Sequence, residues 1–164
     1  LEGMFQVYYD RVSLGREKVM LEYSTTIKDD DFPTSLRGSF ERDRILTYTT
    51  VGVHRDDLNL SLEGYLVKKL GSQGQKKSFL TALKLAQFAY LVKQKGVKPL
   101  LLLDDIFDKL DADRVSQIIQ IVSSTDFGQV FVTDTNREHI DEILQQHAME
   151  YKIFHVERGE VMDL

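Results

Sequence analysis

A run of four leucines followed by two aspartates, residues 100–105, constrains the fold more than any other segment of the chain. A short and continuously apolar strand, here residues 99–103, is typical of parallel sheets whose strands are buried on both faces. Apolar residues at helical spacing predict an amphipathic helix before it, over 75–92, and another after it, over 110–123. This order of elements predicts an α/β fold with a mostly parallel sheet flanked by helices.

The remaining segments extend this pattern toward both ends. Toward the C-terminus, we expect a second buried strand over 129–133, a third helix over 136–146, a third strand over 151–156 and a turn at 158–160 into a short tail. Toward the N-terminus, we expect a strand over 19–27, a loop at 29–31, a helix from Pro33 to about Arg44 and a hairpin over 58–67 around Glu63-Gly64.

Composition excludes several classes of protein. The 164 residues contain no cysteine, which rules out disulfides, thiolate metal sites and a cysteine nucleophile. No apolar run approaches the ~18 residues of a membrane span, and no signal peptide opens the chain, so we expect a cytoplasmic protein. The net charge of −5 argues against a histone-like field but leaves local patches free to bind nucleic acid. The first residue is Leu1 rather than Met, which indicates a piece of a longer protein.

Asp104 and Asp105 follow the leucine run and are candidate catalytic groups. Open α/β folds bind ligands at the carboxyl edge of the sheet, where this strand ends. Because adjacent strand residues point to opposite faces, the two carboxylates are expected to do different jobs. One can hold a magnesium ion, and the other can orient or deprotonate an attacking water. The alternative is that Asp105 only caps the helix that follows.

Residues 71–75, with the sequence GSQGQ, begin the long helix. Ser72 and Gln75 have the spacing of a capping box. The same helix start, with free N–H groups, a hydroxyl and Gly74, also suits a phosphate, and the two interpretations are compatible. None of the ten glycines is followed by lysine, so the phosphate loop G-x-x-x-x-G-K-[ST] is absent from this chain.

Charged residues are distributed unevenly along the chain. Residues 66–98 contain eight lysines and no acid, and five aspartates follow within residues 104–113. Such a lysine run is ordinarily a solvated face. Alternatively, Lys76, Lys77 and Lys84 contact nucleic-acid phosphates. At residues 52–57, His54 and Arg55 either reach phosphate or form a satisfied turn network. The spacing of His139, His147 and His155 matches no compact ligand pattern.

Residues 72–75, the leucine strand and Asp108-Lys109-Leu110-Asp111 together resemble the carboxyl-terminal half of an ABC-type ATPase head. They look like its signature motif, its Walker B strand and its D-loop. Residues 52–58, followed closely by 71–75, are similar to the RecF family of bacterial recombination mediators, which is related to SMC proteins. The resemblance runs from about Arg42 to the end and is most specific from Gly52 to Asp111.

This resemblance implies an ATP site shared between two subunits, with each expected role at a matching position. ATP would be bound in trans by the signature motif, Ser72, Gln73, Gly74 and Gln75. At the end of the strand, Asp104 would hold Mg2+ and Asp105 would be catalytic. The D-loop would contain Asp108 and Asp111, and the switch position would be occupied by Asp134. The sequence departs from the usual pattern in having Gln73 for glycine, Asp105 for the commoner glutamate and no histidine at the switch position. With no Walker A loop, the chain alone should hydrolyse no ATP, whereas its parent would be a slow ATPase.

The resemblance also implies a biological role and a division of the chain. The role is DNA repair, replication and recombination, including the SOS response to DNA damage. The protein would act as an ATP-dependent homodimer that loads recombinase at DNA gaps or junctions, together with RecO and RecR. Residues 1–50 would end an inserted or helical lobe, and 51–164 would form the carboxyl-terminal part of the head. Two alternatives are the head of another SMC-like ATPase and a nucleotide-independent DNA- or protein-binding module.

Overall fold

The computed structural model describes residues 1–27, 31–135 and 150–163. The elements follow in the order α1 (Glu2–Ser13), β1 (Val19–Ser24), α2 (Phe32–Leu46), a 3-10 turn (Val53–Arg55), β2 (Asp57–Leu62), β3 (Tyr65–Leu66), α3 (Val67–Leu70), α4 (Gln73–Lys95), β4 (Leu101–Leu103), α5 (Ala112–Val122), β5 (Val130–Val132), β6 (Phe154–Glu157) and β7 (Glu160–Asp163). The expected helix over 136–146, His139 and His147 lie outside the described residues.

The described strands form three sheets. β1, β2 and β3 pair antiparallel in that order, and the pairing of β2 with β3 confirms the hairpin predicted around Glu63-Gly64. β4 and β5 pair in parallel, as predicted for the two apolar strands. The third predicted strand, β6, instead pairs antiparallel with β7 in a separate sheet. Arg158 and Gly159 link them with φ values of 51° and 85°, the left-handed conformation that tight hairpin turns use.

The expectation that β4 and β5 are buried on both faces is wrong. Leu101 and Leu103 point into the core, but Leu102 is 62% exposed and Phe131, opposite it on β5, is 45% exposed. The buried face packs on side chains of α4 and α5, including Leu85 and Ile118. Within the described part of the chain, the opposite face of this two-stranded sheet is open to solvent.

Helix α1 packs along α4 and ties the N-terminal residues into the core. The ring of Phe79 on α4 lies 5.6 Å from that of Phe5 and 4.6 Å from that of Tyr9, measured between centroids. β1 pairs with β2 along its full length. α1 and β1 therefore share a core with elements that follow residue 50.

Helix α2 confirms the helix predicted from Pro33. The carboxylate of Asp31 caps it by accepting the amide N–H of Thr34. Ser39 is its buried residue, and apolar side chains along it, such as that of Phe40, are exposed. None of the helices in the described ranges combines the length and apolar character that a bilayer span requires.

Candidate functional site

A capping box between Ser72 and Gln75 closes the start of α4, as the sequence predicts. The amide N–H of Gln75 donates to Ser72 Oγ at 3.1 Å, and the amide N–H of Ser72 donates to Gln75 Oε1 at 2.9 Å. Ser72 and Gln73 are exposed, so this end of the helix is accessible to a ligand. The cap and an anion site use the same amide groups, and the geometry of the box is compatible with both.

Gly74 lies where α4 meets the acidic loop, which we define as residues 104–111. A Cβ atom at Gly74 would lie 2.9 Å from the carbonyl oxygen of Lys109, and Lys109 itself has a left-handed φ of 63°. Any larger residue at this position would push the first turn of α4 away from the acidic loop. Gly74 therefore allows the expected signature motif to lie directly against the expected D-loop.

Asp104 and Asp105 both lie beyond the end of β4. The strand ends at Leu103, and Asp105 has a left-handed φ of 46°, so strand alternation is not what separates the two side chains. Asp104 accepts a hydrogen bond from the hydroxyl of Thr133, and the amide N–H of Asp105 donates to the same hydroxyl oxygen at 3.0 Å. Thr133 is held there by its own amide, which donates to the carbonyl of Leu103 at 2.9 Å.

Lys77 connects α4 to the other side of the acidic loop. Its Nζ donates to the carbonyl oxygen of Asp108 at 2.8 Å and lies 3.5 Å from Asp105 Oδ2. The Lys77 side chain is 23% exposed. Of the three lysines expected to contact DNA, Lys77 thus faces carboxylates of its own chain, whereas Lys76 is exposed and Lys84 is half-buried.

Asp111 caps α5, so the alternative that Asp105 caps this helix is wrong. Asp111 Oδ1 accepts the amide N–H of Arg114 at 2.9 Å, and its Oδ2 lies 3.1 Å from Arg114 Nε. Residues 106–111 of the acidic loop separate Asp105 from the first residue of α5, Ala112. Asp105 is therefore an exposed carboxylate at the sheet edge, with Lys77 as its ion-pair partner.

A polar network connects this region to Glu17, which lies between α1 and β1. Glu17 Oε1 accepts from Gln75 Nε2 and from Arg114 Nη2, both at 3.0 Å, and Oε2 accepts from the Tyr9 hydroxyl. Burial alone would raise the pKa of Glu17. The hydrogen bonds from Tyr9, Gln75 and Arg114, together with the charge of Arg114, outweigh burial and lower that pKa below its ordinary value.

Arg114 extends the same network to the backbone of the glycine-containing turn. Its Nη1 donates to Ser78 Oγ at 2.7 Å, and that hydroxyl donates to the carbonyl of Gly74 at 2.9 Å. One guanidinium thus contacts groups on α4, at the start of α5 and at Glu17.

The turn at residues 52–57 forms hydrogen bonds within itself and with its neighbours. His54 Nε2 lies 3.1 Å from both the hydroxyl and the carbonyl oxygen of Thr49. The Arg55 guanidinium lies 5.0 Å from the centroid of the Tyr48 ring. These contacts favour the turn-network interpretation over a phosphate site.

The described residues contain no group of three or more histidine, aspartate or glutamate side chains placed to hold a metal ion. Asp104 is a single carboxylate, which fits Mg2+ in the way this ion is commonly bound, with nucleotide phosphates and water completing the shell. Asp134, the expected switch residue, is half-buried next to Thr133.

The chain is similar to curated proteins named DNA replication and repair protein RecF. It is 52% identical to that of Parabacteroides distasonis and 48% identical to that of Bacteroides thetaiotaomicron, in each case over 161 residues, which are 98% of this chain and 44% of the relative. The expected resemblance to RecF is confirmed. The chain spans less than half the length of these relatives. No family model matches the chain.

Solved structures agree on the fold. Two structures of the recombination mediator protein RecF, one with ATP, align with TM-scores of 0.69 and 0.67, at 24% and 25% identity, over 99% of this chain and 43% of theirs. An SMC head bound to the C-winged helix domain of ScpA aligns at a TM-score of 0.58 and 16% identity, over 99% of this chain and 41% of its own. The expected fold class, part of an ABC/SMC-type ATPase head, is confirmed.

Sequence reasoning missed three residues of this RecF-like arrangement: Glu17, Arg114 and Thr133. A signal for Thr133 was present, because the carboxyl ends of neighbouring parallel strands meet at one sheet edge, and Thr133 follows the second strand just as Asp104 follows the first. No comparable signal exists for Glu17, which lies 97 residues from Arg114.

Proposed function

We propose that this chain supplies residues to ATP sites that close between two subunits of a RecF-like ATPase. The observation that carries the proposal is the close approach of the first turn of α4 to the acidic loop at Gly74 and Lys109. This approach brings an accessible helix start, with Ser72 as its cap, to the same edge as Asp105. In a dimer with two ATP sites, the start of α4 contacts the nucleotide bound to the other subunit, whereas Asp105 acts on the nucleotide of its own subunit. Both groups must therefore lie at the subunit interface, and their position at one edge meets this requirement.

The two carboxylates have separate roles in this proposal. Asp104 would hold a magnesium ion that accompanies the nucleotide, and the hydroxyl of Thr133 orients its carboxylate. Asp105 orients and deprotonates the attacking water, because its exposed carboxylate is free of the helix-capping role. Magnesium supplies charge neutralisation at the transferred phosphate when bound.

ATP in such a site is part of the subunit interface, so nucleotide binding and dimerisation are thermodynamically linked. We infer that the ATP-bound dimer acts on DNA gaps or junctions in replication and in recombinational repair of DNA damage, including the SOS response. Partners of the RecO and RecR type, recombinase loading, and a cytoplasmic location belong to the same proposal. The names of the similar proteins support its DNA replication and repair setting.

A nucleotide-independent DNA-binding module is the second candidate, and the exposure of Lys76 favours it. Lys76→Ala should lower the salt dependence of DNA binding if this side chain neutralises a phosphate. Lys77→Ala is the matched comparison, because Lys77 already pairs with Asp105 and should change that slope less. Equal slopes for Lys76→Ala and wild type would count against phosphate contact by Lys76.

The Ser72→Arg variant of the full-length protein tests the leading proposal. A bulky side chain at the exposed helix start should prevent two subunits from closing over ATP, while monomers still bind ATP. Ser72→Ala removes the capping hydroxyl without adding bulk and should retain most of the dimerisation. Sedimentation with and without ATP measures this difference. If folded Ser72→Arg protein still forms dimers with ATP, the motif is only a capping box and the proposal is wrong.

A further inference from the structure

Two ion pairs join the connection between α1 and β1 to the first turn of α5, and they differ in burial. Arg16 Nη2 lies 3.0 Å from Asp113 Oδ2, and their side chains are 60% and 59% exposed. Glu17 Oε1 lies 3.0 Å from Arg114 Nη2, and their side chains are 16% and 14% exposed. The two pairs occupy adjacent positions on the same elements, so they form a natural comparison.

The buried pair has contacts that the exposed pair lacks. Arg114 uses three different nitrogens for three different partners: Nε for Asp111, Nη1 for Ser78 and Nη2 for Glu17. The rigid fork of a guanidinium fixes the relative positions of groups bound in this way, and a lysine ammonium does not. Glu17 in turn binds Gln75, the N3 residue of the capping box.

We propose that Glu17 and Arg114 are positioning residues that lock the start of α4 and the start of α5 into one fixed arrangement. Through them, Ser72 and Asp111 present a single preformed surface to the nucleotide of the other subunit. This inference rests on the proposed function, and it adds the residues that position the surface facing the nucleotide of the other subunit. A largely buried ion pair adds little to stability compared with apolar packing, and a role in fixing geometry accounts for its presence here.

Hydrogen exchange in the full-length protein tests the lock without any nucleotide. In Arg114→Lys, the backbone amides at the first turns of α4 and α5 should exchange faster together, by about tenfold, which corresponds to roughly 1.4 kcal/mol of local stability. Arg16→Lys is the matched control and should leave both sites unchanged. Faster exchange at α5 alone, or equal effects of the two variants, would overturn the proposal.

Mixed dimers test whether the lock acts across the interface. In these dimers one subunit carries Asp105→Asn, so only the ATP bound to the other subunit is hydrolysed. The signature motif that contacts this ATP comes from the Asp105→Asn subunit. Arg114→Lys placed on the Asp105→Asn subunit should slow turnover, and placed on the hydrolysing subunit it should slow turnover less. Equal losses in both placements would make Arg114 a general structural residue.

The two experiments fail in distinguishable ways. If Asp105→Asn homodimers hydrolyse ATP at the wild-type rate, the proposed catalytic role is wrong, and the exchange measurement still decides whether the pair couples α4 to α5. If those homodimers are inactive and the exchange rates do not change, the proposed function stands and the positioning role is wrong.

Discussion

The site junction and the α2 segment are built from opposite kinds of contact. We define the site junction as Glu17, the first turn of α4, the acidic loop and the first turn of α5, and the α2 segment as residues 31–50. In the site junction, Glu17 bonds to Gln75 and Arg114 across 58 and 97 residues of sequence. In the α2 segment, Asp43 bonds to Thr50 across seven residues.

The two regions also differ in which kinds of side chain they bury and which they expose. The site junction encloses charged groups such as Arg114, which is 14% exposed, whereas the α2 segment exposes apolar groups such as Phe40 at 59% and Ile45 at 81%. Charged residues are seldom buried unless they are paired, so the site junction maintains a specific arrangement. This difference indicates that long-range polar contacts mark the region in which the relative positions of several elements are fixed. Local contacts, in contrast, mark a helix whose structure depends mainly on its own neighbours in sequence.

The largest effect should come from Asp105→Asn in the full-length protein. The amide keeps the size of the side chain but accepts no proton, and such groups are worth about 10²–10⁴-fold in rate. Steady-state ATP turnover should fall by that factor while ATP binding remains near wild type. Asp43→Asn, a matched change in the α2 segment, should leave turnover unchanged. A normal rate for Asp105→Asn together with a lost rate for Asp104→Asn would reverse the two carboxylate roles.

The next largest effect concerns stability within the site junction. Arg114→Ala leaves Glu17 and Asp111 without their cationic partner and should lower the free energy of unfolding by about 3 kcal/mol. Arg16→Ala breaks the exposed pair and should cost about 0.2–1 kcal/mol. Urea unfolding of both variants measures the difference. If the two variants lose similar amounts of unfolding free energy, the buried pair contributes no more to stability than the exposed pair on the same elements.

The sequence predicted the elements whose signals are local. Helical periodicity and the capping box located α4, Pro33 located α2, and Glu63-Gly64 located the hairpin between β2 and β3. These signals depend on neighbours within one turn of helix or one strand pair, which are visible in the chain itself.

The sequence did not predict features that depend on distant partners. The apolar run at 99–103 predicted two buried faces, yet which faces are covered depends on elements elsewhere in the chain, and Leu102 is exposed. The candidate site shows the same limit. Ser72, Gly74 and Asp111 were recognisable from motif spacing, whereas the Glu17 and Arg114 pair is created only by folding.

The pH dependence of stability should separate the two regions further. Since the folded pKa of Glu17 lies below its ordinary value of 4.5, its contribution is fully present above that pH and is lost as the pH falls through the folded pKa. Glu17→Gln should therefore reduce the loss of stability between neutral and acid pH. The hydrogen bond from Thr50 likewise lowers the pKa of Asp43, but Asp43→Asn should alter only exchange within the α2 segment. Urea midpoints across this range measure both variants.

The smallest effect compares two helix caps, Ser72 on α4 and Asp31 on α2. Each side chain accepts the N–H of the residue three positions later. Ser72→Ala should lower the free energy of global unfolding by about 1 kcal/mol, because α4 carries core residues such as Phe79 and Leu85 and its first turn is bound to Glu17.

Asp31→Ala should instead speed amide exchange at the start of α2 without moving the urea midpoint of the chain. The reason is that α2 buries Ser39 and no apolar side chain, so its fraying exposes little core. Hydrogen exchange and urea unfolding of the two variants make the comparison. An Asp31→Ala midpoint shifted as far as that of Ser72→Ala would mean that the α2 segment is coupled to the core as strongly as the site junction is.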